Sequence, residues 1–205
     1  MKLRITPGAI LLLLALLWRG QGALPLLLAA AIHEAGHLLI ARLLNIRLHR
    51  MELDLLGARL YPALPLPSYR AEALLALGGP VFSLLTALLA LLLDAPVLQE
   101  LTTASLSLGL FNLLPVEGFD GGRILCAVLS LAGGVQTARR VLFFTTYLSL
   151  LLLFSLSACL LLRYGEDAAL AILSASLFAR LFLSVERPCA GHGVHACKKR
   201  GFGRI

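Results

Sequence analysis

Two histidines and a glutamate form a short motif, His33-Glu-Ala-Gly-His37, inside an apolar stretch of the sequence. Residues four positions apart lie on the same face of a helix, so both imidazole rings can reach one metal ion. Glu34, beside the first histidine, can then take a proton from a water that the metal activates. The motif therefore predicts His33 and His37 as metal ligands and Glu34 as the general base of a hydrolytic reaction.

The position of the motif argues against a purely structural role. It lies near the centre of the hydrophobic segment 24–44, where inserting an acidic residue into a membrane costs roughly 2.5–3.5 kcal/mol. HExxH also arises by chance in helices of soluble proteins. A chance motif without a function would not explain why a membrane segment contains residues that are so costly to insert. The membrane position therefore favours a metal site.

A third ligand is expected, because a catalytic zinc usually has three protein ligands and keeps one position for water. The best candidate is Asp120, in the segment Phe111-Asn-Leu-Leu-Pro-Val-Glu-Gly-Phe-Asp-Gly-Gly-Arg123, whose proline and glycines must break or kink a helix. Two alternatives stay open: Asp120 as a helix cap or turn residue, and Glu117 as the ligand. Two histidines and an aspartate with an open position favour one Zn²⁺ per chain, although cobalt or iron would fit the same geometry.

Asn112, in the same segment, places an amide in an apolar helix. We expect it to form a hydrogen bond, either with a neighbouring helix or with the backbone of a substrate, and both roles stay open.

The C-terminal tail contains a second group of metal-binding residue types: Cys189, His192, His195 and Cys197. Their spacing matches no common zinc pattern, and we interpret 189–205 as a basic cytoplasmic tail. We expect no disulfide framework, because the cytoplasm is a reducing compartment and the other two cysteines lie in apolar segments.

The composition places the chain in a membrane, because 59% of its residues are hydrophobic and only 14% are charged. Six segments approach the length of about 20 residues that a helix needs to cross a bilayer. They are 5–18, 24–44, 70–93, 97–114, 140–162 and 167–184. The predicted fold is an all-α polytopic membrane protein of about six transmembrane helices, with a broken fourth helix. The first segment is kept as a span because no signal-peptide cleavage site follows it.

The net charge of +7 indicates orientation rather than a nucleic-acid partner. With six spans and a cytoplasmic N-terminus, all lysines and arginines except Arg19 and Arg163 fall on or near the cytoplasmic side. This positive-inside pattern predicts a multi-pass protein of the cell membrane with both termini in the cytoplasm.

Two other segments have distinct patterns. Apolar and polar residues nearly alternate in the connection 45–69, which predicts a short membrane-edge β-hairpin turning near Gly57, followed by extended proline-rich backbone. Gly78-Gly79-Pro80 is expected to interrupt the third span and to let a neighbouring helix approach closely.

The pair of motifs, HEAGH and about eighty residues later NLLPVEGFDGG, resembles the site-2 protease family of intramembrane metalloproteases. The compact layout without a PDZ or CBS domain is most similar to the bacterial branch that includes the sporulation protease for the sigma-K precursor. The motifs cover 24–130, and the remainder resembles the family in span count only. The resemblance implies one transmembrane protease domain, 1–188, with zinc bound by His33, His37 and Asp120.

The resemblance also implies that Asn112 and Pro115 shape the site and help to position substrate. The sequence departs from the family pattern at Phe119, where leucine is usual, and at Ser83, where asparagine is frequent. The implied partners are the lipid bilayer, a membrane protein substrate such as a sigma-factor precursor or an anti-sigma factor, and an inhibitory membrane protein.

Three rival functions are compatible with parts of this pattern. A broken-helix transporter would also contain intramembrane polar residues, although the sequence has no evident inverted repeat. A non-catalytic protease relative would not need an intact HExxH. Another zinc membrane peptidase, acting on a lipidated C-terminus, would not be expected to use the second motif.

Overall fold

The computed structural model describes residues 2–5, 23–54, 57–63 and 66–164. These residues form three strands and four α-helices, in chain order β1 (Lys2–Ile5), α1 (Ala23–Leu43), β2 (Leu48–Asp54), β3 (Gly57–Pro62), α2 (Tyr69–Leu92), α3 (Gln99–Asn112) and α4 (Asp120–Tyr164). The predicted span 167–184 and the tail 189–205 lie outside the described residues. So does the predicted span 5–18, except for Ile5, which belongs to β1.

Helices α1 and α2 agree with the predicted spans 24–44 and 70–93 to within one residue at each end. Their 21 and 24 residues give lengths of about 32 and 36 Å, enough for a hydrocarbon core of about 30 Å. Helix α2 begins at a capped end, where the Ala71 N–H donates to Ser68 Oγ at 3.1 Å. Among the described residues, α1, α2 and α4 are long and apolar enough to cross a membrane.

Two glycines allow α1 and α2 to pack closely. A Cβ atom on Gly78 would lie 2.7 Å from the Gly36 carbonyl oxygen, and one on Gly36 would fall against the Gly78 carbonyl. The predicted close approach of a neighbouring helix is therefore present here. The predicted interruption is wrong, since α2 continues through Pro80.

Helix α3 differs from the predicted span 97–114. A 3₁₀ turn at Pro96–Leu98 precedes it, and its 14 residues give about 21 Å, too short to cross a bilayer alone. The helix ends at Asn112 and α4 begins at Asp120, so the predicted break separates two helices rather than kinking one. The segment 113–119 between them carries the proline and a glycine, Gly118, at φ 98°.

Helix α4 consists of two arms that meet at Gly134, whose φ of 81° and ψ of 165° are not helical. In a straight helix Thr146 would lie about 39 Å from Asp120. Instead, Thr146 Oγ1 accepts a hydrogen bond from the Glu117 N–H at 3.0 Å, immediately before α4. The chain therefore folds back at Gly134, and the predicted span 140–162 lies within the second arm.

The strands form one sheet in the order β1-β2-β3. Strands β2 and β3 pair antiparallel, with Met51 opposite Leu60, and fall within the segment 45–69 where the alternating pattern predicts a strand pair. A position at the membrane edge stays a prediction. Strand β1 pairs parallel to β2, and the sequence pattern did not predict it.

We predict that Gly134→Ala destabilises the fold, because an L-residue in this backbone region costs about 1–3 kcal/mol. The melting temperature of the detergent-purified protein should fall. Gly133→Ala is the matched control, since its Cβ would meet Thr137 at an ordinary 3.4 Å. Equal melting temperatures for the two variants would contradict the proposed reversal at Gly134.

Candidate metal centre

Three predicted ligands from two helices meet inside the protein. His33 and His37 lie one turn apart on α1, and Asp120 is the first residue of α4. Their exposed fractions are 4%, 4% and 7%, so all three are buried. Each offers one ligand atom, and these atoms all lie within 4.8 Å of one another.

The distances between the donor atoms suit one small cation. Asp120 Oδ2 lies 3.2 Å from His33 Nε2 and 3.1 Å from His37 Nε2, and the two Nε2 atoms are 3.3 Å apart. Tetrahedral ligands with bonds of about 2.0–2.1 Å lie about 3.3 Å from one another. Nitrogen and carboxylate oxygen donors at this separation fit zinc.

Both imidazole rings are oriented by contacts on their other nitrogen. His37 Nδ1–H donates to the Leu75 carbonyl at 2.8 Å, and His33 Nδ1 lies 2.9 Å from Ser83 Oγ. The Gly79 N–H is also 3.2 Å from His37 Nδ1. Because Nδ1 carries the proton that it donates to Leu75, it has no lone pair with which to accept a hydrogen bond from Gly79. These contacts direct both Nε2 atoms towards Asp120, an arrangement typical of histidine metal ligands.

Gly79 provides the space in front of the two Nε2 atoms. A Cβ atom at this position would fall within 3 Å of both His33 Nε2 and His37 Nε2. Any larger residue would therefore displace the donor atoms or occupy the volume between the histidines and α2.

The backbone of 113–119 determines where Asp120 lies. Cβ atoms on Gly121 and Gly122 would collide with the carbonyl groups of Leu113 and Val116, so α4 can begin directly against this segment only with glycine at both positions. Arg123 Nη1 lies 3.5 Å from Asp120 Oδ1, which leaves Oδ2 directed at the histidines.

The second arm of α4 holds the same segment. Besides the hydrogen bond from the Glu117 N–H to Thr146, Leu150 packs in a buried cluster with Val116 and Phe119. Thr146 and Leu150 are each only 1% exposed. Asp120 is thus positioned by contacts about thirty residues away in the chain.

The remaining predicted site residues differ in placement. Glu34 is partly buried beside His33, with Oε2 shielded from solvent, and is close enough for a Coulombic interaction with His37. Asn112 Nδ2 donates to the Leu108 carbonyl of its own helix at 3.0 Å. For the Nδ2 group, this contact favours a hydrogen bond within the protein over one to a substrate. Pro115 lies partly buried in the segment after α3.

Glu117 is not part of the donor cluster. The residue is exposed and does not belong to the group of side chains whose ligand atoms meet. Of the two carboxylates considered as third ligand, Asp120 is the one that meets the histidines.

The sequence pattern did not identify Leu75, Gly79 or Thr146 as site residues, and it noted Ser83 only as a departure from a family pattern. Leu75, Gly79 and Ser83 recur every four residues and so share one face of α2. A serine four residues after a glycine in an apolar segment was the available signal. The contact to Thr146 depends on the reversal at Gly134 and left no local signal.

We predict that Gly79→Ala weakens metal binding at least about tenfold, because the new methyl group displaces both histidine ligands. Equilibrium dialysis of the detergent-purified variants against zinc would measure the dissociation constant. Gly133→Ala, which adds the same methyl group far along the chain from the cluster, should bind like the unchanged protein. Equal affinity in both variants would show that the metal does not lie between these histidines and α2.

Comparisons with known proteins found similarities to a family, to a curated protein and to a solved structure. The family model described as Peptidase family M50 matches residues 95–156, which include Asp120 but not the two histidines. A curated zinc metalloprotease of Methanocaldococcus jannaschii is 27% identical over 126 residues, covering 57% of this chain. The chain spans only 36% of the length of that relative.

A solved structure of a site-2 protease from Methanocaldococcus jannaschii has a similar fold. The TM-score is 0.61 at 22% identity, with 86% of this chain and 87% of that chain covered. Residues 95–156 are thus similar to peptidase family M50, and the chain shares the fold of this site-2 protease.

Proposed function

We propose that this chain is an intramembrane zinc metalloprotease that hydrolyses a peptide bond of a membrane-embedded or membrane-associated protein. His33, His37 and Asp120 hold one zinc ion, and Glu34 is the general base. The matches to peptidase family M50 and to a zinc metalloprotease support this function.

One observation carries the proposal: two imidazoles on a helix of membrane-crossing length are buried together with a carboxylate. Burying such groups in apolar surroundings is expensive unless they bind one another or a cation. Three donors leave a fourth position on a tetrahedral ion, as a catalytic site requires and a closed structural site does not.

The chain's own residues supply the proton transfers. When bound, zinc supplies Lewis acidity, which makes water a nucleophile near neutral pH and polarises a carbonyl group. Glu34 accepts the proton that the attacking water loses, and then delivers it to the amine that leaves from the cleaved peptide bond. The contacts to Leu75 and Ser83 keep both imidazoles oriented during these steps.

The substrate must present an extended segment, because a helix shields its carbonyl groups in internal hydrogen bonds. The described sheet has β1 and β3 at its edges, and an extended peptide can add to such an edge as a further strand. Pro115, in the segment after α3, and the amide oxygen of Asn112, whose Nδ2 is bonded within α3, position the substrate near Asp120. Sigma-factor precursors and membrane-anchored anti-sigma factors are substrates of the proposed kind, and a membrane protein partner would restrain the activity.

The proposed topology has six spans, with both termini in the cytoplasm and the chain in the cell membrane. Residues 1–188 form the protease domain, and 189–205 form a basic tail. The concentration of lysine and arginine on one side of the predicted spans supports this orientation.

We predict that Glu34→Gln keeps zinc but lowers cleavage by about 10²–10⁴-fold, the usual contribution of a general base. Asp120→Asn should weaken zinc binding at least about tenfold, because the ligand charge is lost. Zinc content and cleavage of a membrane-anchored reporter are measured on the same detergent-purified samples.

Matched controls remove the same charges elsewhere. Glu100→Gln alters an exposed residue in the first turn of α3, and Asp94→Asn alters an exposed residue between α2 and α3. Both should keep zinc and activity. Folded protein that binds no zinc would reject the proposal, and zinc binding with no cleavage of any membrane reporter would indicate a non-catalytic relative.

A further inference from the structure

Helix α2 contacts the two histidine ligands in different ways. His37 is oriented by a backbone carbonyl, that of Leu75, which every residue type possesses. His33 is oriented by a side chain, because its Nδ1 lies 2.9 Å from Ser83 Oγ. Ser83 is fully buried, at 0% exposed. The orientation of His33 thus depends on the identity of one residue.

The hydroxyl contact has a chemical consequence for His33. A neutral imidazole has one N–H and one lone pair, and only the nitrogen with the lone pair can bind a metal. When Ser83 Oγ accepts a hydrogen bond from Nδ1–H, the lone pair is on Nε2, the atom that lies 3.2 Å from Asp120 Oδ2. Without an acceptor at Nδ1, both tautomers and other ring rotations become accessible.

The surroundings of Ser83 restrict which residue can provide this acceptor. Gly109 of α3 lies directly opposite, and a Cβ atom there would approach Ser83 Cβ to 3.1 Å. A small hydroxyl residue fits this narrow space between α2, α3 and His33.

We propose that Ser83 is a positioning residue of the metal centre, which fixes His33 in the Nδ1–H tautomer with Nε2 directed at the metal. This inference rests on the proposed function, since it assumes that His33 is a ligand. Ser83 does not contact the reacting atoms and acts through His33.

Substituting Ser83→Ala tests the role directly. Hydrogen-bonding partners of metal ligands typically contribute 10–100-fold to metal affinity, so the zinc dissociation constant should rise by about that factor. It is measured by competition with a chromophoric chelator in detergent. Ser105→Ala is the matched control, because Ser105 is equally buried on α3 and its Oγ has no hydrogen-bond partner among the residues that the structure describes. This control should leave the dissociation constant unchanged.

Two spectroscopic measurements separate positioning from general stability. The visible absorption bands of the Co²⁺-loaded protein should change in Ser83→Ala but not in Ser105→Ala, because only the former alters the ligand geometry. In the unchanged protein, ¹⁵N spectra of the histidine rings should show His33 as the Nδ1–H tautomer. That second measurement needs no variant and therefore tests the proposal even when Ser83→Ala does not fold.

The outcomes separate this inference from the proposed function. Unchanged zinc affinity and cobalt bands in Ser83→Ala, or the Nε2–H tautomer at His33, would overturn the role of Ser83 while zinc-dependent cleavage stands. Absence of zinc binding in the unchanged, folded protein would overturn both.

Discussion

The structure depends on holding three atoms that can bind a metal, two imidazole nitrogens and one carboxylate oxygen, about 3 Å apart in an interior surrounded by apolar helices. Such donors are stable there only when each lone pair or proton has a partner. Because His33, His37 and Asp120 come from two helices distant in sequence, the helices between and beside them must approach closely. Gly36, Gly78 and Gly79 allow that approach, and Leu75 and Ser83 then orient the two rings.

The carboxylate is positioned by a different principle. The packing of α1 on α2 determines where the two histidine side chains lie. The end of α3 and the reversal of α4 at Gly134 determine where Asp120 lies. The second arm of α4 returns to bind the segment 113–119 through Thr146 and Leu150. These contacts bury Val116 and Phe119 of the segment against the second arm.

The local motifs singled out the three side chains that the structure brings together, whereas the sequence pattern predicted the path of the chain only in part. Helical periodicity places His33 and His37 on one face, and the cost of burying Glu34 favours function, so both inferences need only local information. The early end of α3 at Asn112, the start of α4 at Asp120 and the parallel pairing of β1 depend on contacts distant in sequence. The continuity of α2 through Pro80 likewise shows that tertiary packing can override a helix-breaking residue.

X-ray absorption spectroscopy at the zinc edge of the purified protein tests the central claim most directly, namely that these three residues form one metal centre. We expect only nitrogen and oxygen neighbours at about 2.0–2.2 Å, with the outer-shell pattern of two imidazoles. A sulfur neighbour at about 2.3 Å would place the metal on cysteine instead and would contradict the assignment.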